Sequence, residues 1–165
     1  MVHDSMSHES MGQDGMDQDC EPLNVVCLKW GQLYGPEYVN KLYGMVSRNI
    51  SQDFRFICFT EASEGLRDEV EVQPLPEFPE PPWEYARYCS AWRKLALFRA
   101  GLADMQGRVL FLDLDLLILS SLDEMLTRTE PFLMIENWYQ ARQRKGQASV
   151  MLFDAGYPEC LRCRA

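Results

Sequence analysis

Asp113 and Asp115, separated by one leucine, are the residues of this chain best suited to chemistry. They interrupt residues 109–119, VLFLDLDLLIL, which are otherwise apolar throughout. In an extended chain residues i and i+2 point to the same side, about 6.5–7 Å apart. Both carboxylates then address one point, and Leu114 turns into the core. Hard oxygen ligands of this kind suit Mg²⁺ or Mn²⁺ and the phosphates such an ion carries. Burying an ionised carboxylate without a partner costs several kcal/mol. A compensating charge is therefore expected, and a bound divalent cation is the simplest one. The plainer alternative is a pair of loop or helix-capping aspartates.

The elements that must position this pair can be read in order. A continuous apolar run bounded by turn residues reads as a strand covered on both faces. The run 109–119 has that form, lying between Gly107 and Ser120-Ser121, with a bend or break expected at the aspartates. Strands are expected over 23–29, 54–60, 70–74, 132–136 and 148–153. Pro36 opens a helix where its missing N–H is harmless. Val39, Leu42, Tyr43 and Val46 carry that helix to Asn49 at helical spacing. Five prolines between 74 and 83 make an extended loop, and a helix is expected over 85–100. Ser121-Leu122-Asp123-Glu124 has the S-x-x-E form of a capping box. Strands alternating with helices predict an α/β protein with a mostly parallel sheet, Rossmann-like and flanked by helices.

Composition narrows the function. The chain has 165 residues, enough for one domain, and a formal net charge of −9. That balance argues against a general nucleic-acid binder, which carries a basic face. No stretch approaches a membrane span, and the N-terminus lacks the basic and apolar regions of a secretory signal. A cytoplasmic location follows as the expectation, with Cys20, Cys27, Cys58, Cys89, Cys160 and Cys163 as thiols. Residues 1–21 hold His3, His8, Met6, Met11 and Met16 but few large aliphatics. They read as a disordered tail, with soft-metal binding as the lesser alternative. Residues 155–165 read as an irregular terminus, and its Cys160-x-x-Cys163 is at best half a zinc site. Neither the dinucleotide fingerprint nor a Walker A loop is present.

An aromatic-bearing loop after the first strand is followed by Trp92-Arg93-Lys94-Leu95, then V-L-F-L-D-L-D, Ser121-Leu122-Asp123-Glu124 and a later A-S-V-M strand. In that combination and order, over 23–153, the chain resembles the GT-A glycosyltransferases, most of all bacterial members of the family 8 type. The resemblance implies a nucleotide-sugar donor, usually a UDP-sugar, a Mn²⁺ or Mg²⁺ ion, an acceptor of unknown type and retention at the anomeric carbon. It implies that Asp113 and Asp115 hold the metal, with Asp113 shared between metal and donor ribose. It places the nucleotide base against the loop 29–34, where Tyr34 offers a ring for stacking. It implies that a basic residue on the helix before the central strand, Arg93 or Lys94, meets the donor. The two are adjacent, so only one is expected to face the site. Asn137 and Ser149 fall where relatives contact sugar, but Ala148 stands where relatives carry an amide.

The resemblance also implies a metal-binding histidine downstream and a further acceptor-binding half. The histidines here are His3 and His8, and the sequence ends soon after the A-S-V-M strand. A C-terminally truncated, inactive member with residual nucleotide binding is therefore the alternative expectation. A haloacid-dehalogenase-like phosphatase, with one aspartate as nucleophile, is the further one. Release of UDP or of inorganic phosphate separates these chemistries.

Overall fold

A computed structural model describes residues 22–77, 93–143 and 145–157. Six strands form one sheet: β1 (Leu23–Lys29), β2 (Phe54–Thr60), β3 (Glu71–Gln73), β4 (Arg108–Leu112), β5 (Phe132–Glu136) and β6 (Gly146–Asp154). Their order is β3-β2-β1-β4-β6-β5. The pairs β3–β2, β2–β1 and β1–β4 are parallel. β6 runs against both its neighbours, β4 and β5. The mostly parallel sheet expected from the sequence is present, with one reversed strand that the sequence pattern does not mark.

The sheet is buried on both faces because alternate residues of each strand feed opposite sides. Val25 and Cys27 of β1, Phe56 and Cys58 of β2, and Leu110 and Leu112 of β4 face helix α1 (Pro36–Asn49), whose Val39, Leu42 and Val46 are fully buried. Val26, Ile57, Phe59, Val109 and Phe111 face the other way, against Leu97, Phe98 and Met105. Each such large apolar side chain contributes roughly 1.5–3 kcal/mol on burial. α1 begins as its sequence predicts, with Pro36 in the first turn, Glu37 near the positive end and Arg48 near the negative end.

The run 109–119 breaks at the aspartates, as expected from the sequence, while two other expectations need correction. β4 stops at Leu112, Leu114 and Asp115 form a turn, and Leu116 and Ile118 pack on the α1 face while Leu117 and Leu119 are exposed. The described part of the expected 85–100 helix is a 3-10 helix, Arg93–Phe98. It ends where Arg99 donates to the Ala96 carbonyl and Gly101 turns at φ +73°. Residues 85–92 lie outside the described residues, as do 1–21, Cys89 and Cys160-x-x-Cys163.

The capping box is not formed either. Helix α2 (Asp123–Leu126) is capped by Leu122 without a side-chain bond. Ser121 Oγ instead accepts the Asp123 N–H, two residues on, and donates to the Asp123 carboxylate. That carboxylate also accepts the Ser51 N–H at 2.9 Å, and the Leu122 N–H donates to Asn49 O at 2.8 Å. Asp123 thus ties α2 to the chain just beyond α1. The Ser51 amide, and after it the Ser121 hydroxyl, hold its carboxyl below the ordinary aspartate pKa.

Candidate functional site

The strand order picks out the carboxyl ends of β1 and β4. β1 is followed by α1 and β2 on one side and pairs with β4 on its other side. Ligands of open α/β sheets gather outside the strand ends at such a switch point. Here a crevice opens because β4 pairs with β1 only as far as Val26↔Phe111, while β1 continues to Lys29 against β2. The crevice has a volume of about 300 Å³. Leu28 of β1, Trp30, Leu33 and Tyr34 of the loop after it, Asp113, Leu114 and Asp115 just beyond β4, and Lys94 of the 3-10 helix line it.

Local structure sets each of these side chains. Gly31 turns the chain off β1 at φ +61°, a left-handed conformation that favours glycine. Its N–H donates to the Glu61 carboxylate at 3.3 Å. The loop then presents Tyr34, edge-on against Tyr38 at 4.8 Å between ring centroids. The Tyr34 hydroxyl donates to Asp115 Oδ2 at 3.0 Å. That bond, and then the Asp115 charge, raise the Tyr34 hydroxyl above the ordinary tyrosine pKa.

In a 3-10 helix residues i and i+3 lie one above the other. Leu97 is fully buried against the sheet, and Lys94 sits one turn before it over the Phe111 ring, 5.1 Å from the centroid. The Lys94 ammonium lies 2.7 Å from the Asp113 carboxylate and donates to Ala148 O at 3.0 Å. The lysine and aspartate side chains are only 13% and 23% exposed. The adjacent Arg93 is exposed, its guanidinium 5.9 Å from the centre of the Trp30 ring at the crevice rim. Of the two basic candidates, Lys94 enters the crevice.

The two carboxylates do not need a compensating cation, contrary to the expectation from the sequence. Asp115 is exposed, and Asp113 already has an ammonium partner. No cation is required to make their burial tolerable. The pair nevertheless lines the crevice together, and the Asp113 and Asp115 carboxylates retain lone pairs beyond the hydrogen bonds described. Two carboxylates completed by substrate phosphates and water are a usual donor set for a Mg²⁺-type ion. The donor chemistry therefore fits Mg²⁺ or Mn²⁺. Among the described residues, no group of three or more His, Cys, Asp or Glu side chains is placed to hold a metal.

Asn137 and Ser149 do not line the crevice. Asn137 follows β5, where its side-chain oxygen accepts the Tyr139 N–H at 3.1 Å. Ser149 serves through its backbone: its carbonyl accepts the Asp113 N–H at 2.9 Å. Sequence reasoning missed this, and it missed the Ala148 carbonyl on Lys94. The reason lies in β6, where the pairing with β5 jumps from Met134↔Met151 to Ile135↔Gln147. Residues 148–150 are thereby left unpaired with β5, while the Ser149 carbonyl extends the β6–β4 ladder to Asp113 and the Ala148 carbonyl accepts from Lys94. Gly146 permits the close approach beyond the jump, since a Cβ there would overlap the Met134 sulfur. A carbonyl leaves no mark on the residue type; Gly146 is the one sequence signal nearby.

No protein-family model matches the chain, and no curated protein sequence matches it. Solved structures match its fold. An active-site mutant of LgtC aligns with a TM-score of 0.61 at 17% sequence identity, over 81% of this chain and 58% of that one. The galactosyltransferase LgtC in complex with donor and acceptor sugar analogs gives a TM-score of 0.57 at the same identity and coverage. The fold is glycosyltransferase-like. The present chain spans 58% of the length of these LgtC chains. The α/β class expected from the sequence agrees with this fold, and the resemblance named there is matched at the level of architecture. Among the described residues no helix is long and apolar enough to cross a membrane.

Proposed function

We propose that this chain is the donor-binding part of a metal-dependent glycosyltransferase that moves sugar from a nucleotide sugar, a UDP-sugar first, to an acceptor. The observation that carries this reading is the convergence of Tyr34, Lys94, Asp113 and Asp115 on one crevice at the switch point of a glycosyltransferase-like fold. A flat ring at the mouth, a cation deep inside and two carboxylates between them match the parts of a nucleoside diphosphate and its ion.

The roles follow from chemistry. The Tyr34 ring offers a face to uracil, a contact that tolerates any flat base. Asp115, exposed and near the mouth, is the firmer ligand for Mn²⁺ or Mg²⁺, and Asp113 is shared between that ion and the donor ribose. When bound, the ion neutralises charge on the departing diphosphate. Lys94 holds Asp113 in place and adds a second positive charge beside the phosphates. Arg93, stacked on Trp30, supplies a bidentate donor at the rim for phosphate or sugar hydroxyls. The protein's share of the reaction is positioning and fixed charge.

Calorimetric titration with UDP, with and without Mn²⁺, tests this. Metal-dependent binding that is lost in Asp115→Ala and accompanied by UDP release from UDP-sugars is the expected result. Binding without turnover leaves a donor-binding module that transfers nothing. A folded protein that binds no UDP under either condition refutes the donor site.

A further inference from the structure

The largest exposed aromatic surface among the described residues lies outside the crevice. Trp138 and Tyr139 are 73% and 82% exposed. Their rings face one another with centroids 4.3 Å apart and planes tilted by 40°. They pack on each other, not into either core cluster. The backbone holds them in place: Asn137 N–H donates to Lys145 O at 2.8 Å, and the Asn137 side chain accepts the Tyr139 N–H.

Their position follows from the topology. Both strands β4 and β5 run antiparallel to β6, so their carboxyl ends emerge at the same edge of the sheet. Trp138 follows the end of β5 and the aspartates follow the end of β4, with one strand between. At the usual strand spacing these ends are about 10 Å apart. Leu33, 82% exposed, lines the crevice along that edge.

We propose that Trp138 and Tyr139 form a carbohydrate-binding platform that receives the acceptor glycan. The proposal rests on the donor reading above and names the substrate class on its acceptor side. A pyranose ring has a flat face of C–H groups bounded by hydroxyls. Aromatic rings with a polar handle at the edge, the indole N–H and the phenol O–H, complement that shape. The surroundings favour a polyhydroxylated ligand over an apolar one, because Glu136, Arg142, Lys145 and Gln147 beside the pair are all exposed. A sugar stacked here lies within the reach of a short oligosaccharide from Asp113 and Asp115.

The test uses the full chain and a panel of neutral saccharides: lactose, cellobiose, maltose and N-acetyllactosamine. The Trp138 indole N–H resonance, assigned with Trp138→Phe, is followed by NMR during titration, and UDP with Mn²⁺ is titrated in parallel. At least one saccharide is expected to shift that resonance saturably. The double variant Trp138→Ala, Tyr139→Ala should bind the same saccharide roughly tenfold or more weakly and keep its UDP affinity. UDP binding with no saccharide effect on Trp138 overturns the platform and leaves the donor reading standing. Saccharide binding unchanged in the double variant also overturns it. Adsorption of the chain to phosphatidylcholine vesicles that depends on the two rings, without saccharide binding, overturns it in favour of a membrane contact. A folded chain that binds no UDP removes the donor reading on which the proposal rests. Both rings are exposed, so the double variant should fold, and its circular dichroism checks this.

Discussion

Two side-chain pairs organise the site, and each joins residues far apart in the chain. Lys94 meets Asp113 across 19 residues, and Tyr34 meets Asp115 across 81. The ammonium and carboxylate of the first pair are mostly shielded from water, so neither can be removed without leaving the other exposed to an apolar neighbour. Lys94→Met keeps the stem over Phe111 and deletes the charge. It should destabilise the fold by about 1–3 kcal/mol in urea denaturation and weaken UDP binding. Tyr34 separates two effects. Tyr34→Phe keeps the ring and loses the bond to Asp115, so UDP affinity should change little. Tyr34→Ala removes the stacking face, which is worth about 1–3 kcal/mol per base. A calorimetric loss of roughly 5- to 150-fold is expected. Equal losses in the two variants would mean that the hydroxyl, not the ring, holds the nucleotide. The sequence showed which residues to consider but not these partnerships. Nothing local in Arg93-Lys94 says which of two neighbours turns inward; the 3-10 geometry that sets Lys94 over Leu97 decides it.

Elements whose signals are local were readable, and elements shaped by distant contacts were not. β1, α1, β2 and β5 occupy the ranges their periodicity and turn residues predict. β4 ends at Leu112, at the break the two aspartates announce, although its pairing with β1 stops one residue sooner, at Phe111. β6 is longer than its apolar core and reversed. At the opposite edge of the sheet a buried polar cluster fixes the strand starts. The Asn24 amide, 1% exposed, donates to Gln106 O at 2.7 Å and Arg108 O at 3.2 Å. Its oxygen accepts from Arg55, which also grips Glu71 of β3. Asn24→Ala strands those carbonyls and should cost about 1–3 kcal/mol, read from the urea midpoint. The Asp123 tie is pH-dependent. Its folded pKa lies below the unfolded value of about 4. The contribution is therefore complete above the unfolded value and is lost as pH falls through the folded one. The difference in thermal midpoint between the wild type and Asp123→Ala should hold steady above about pH 5 and shrink on further acidification. A difference that grew on acidification would reverse the assignment.

At the scale of the molecule, one sheet carries the candidate donor crevice and the aromatic pair on the same edge, and its packing lies behind them on both faces. Ligand that binds only the folded crevice must stabilise the whole sheet. At a concentration about 100 times the dissociation constant, UDP with Mn²⁺ should add about 2.7 kcal/mol. For a chain of this size that is a rise of roughly 5–10 °C in the thermal midpoint. Asp115→Ala should abolish the rise. A rise that persists without added Mn²⁺ would show that Lys94 and the Tyr34 ring hold UDP without an ion.

The stretch of β6 left unpaired with β5 has an evolutionary consequence. Asp113 and Lys94 are held there by the carbonyls of Ser149 and Ala148, which every amino acid possesses. Position 149 can therefore drift in residue type while its carbonyl still holds Asp113, whereas Ala148, which also packs against the Leu97 and Phe111 cluster, must stay small. Lineages sharing this site should differ at 149 more than at 148.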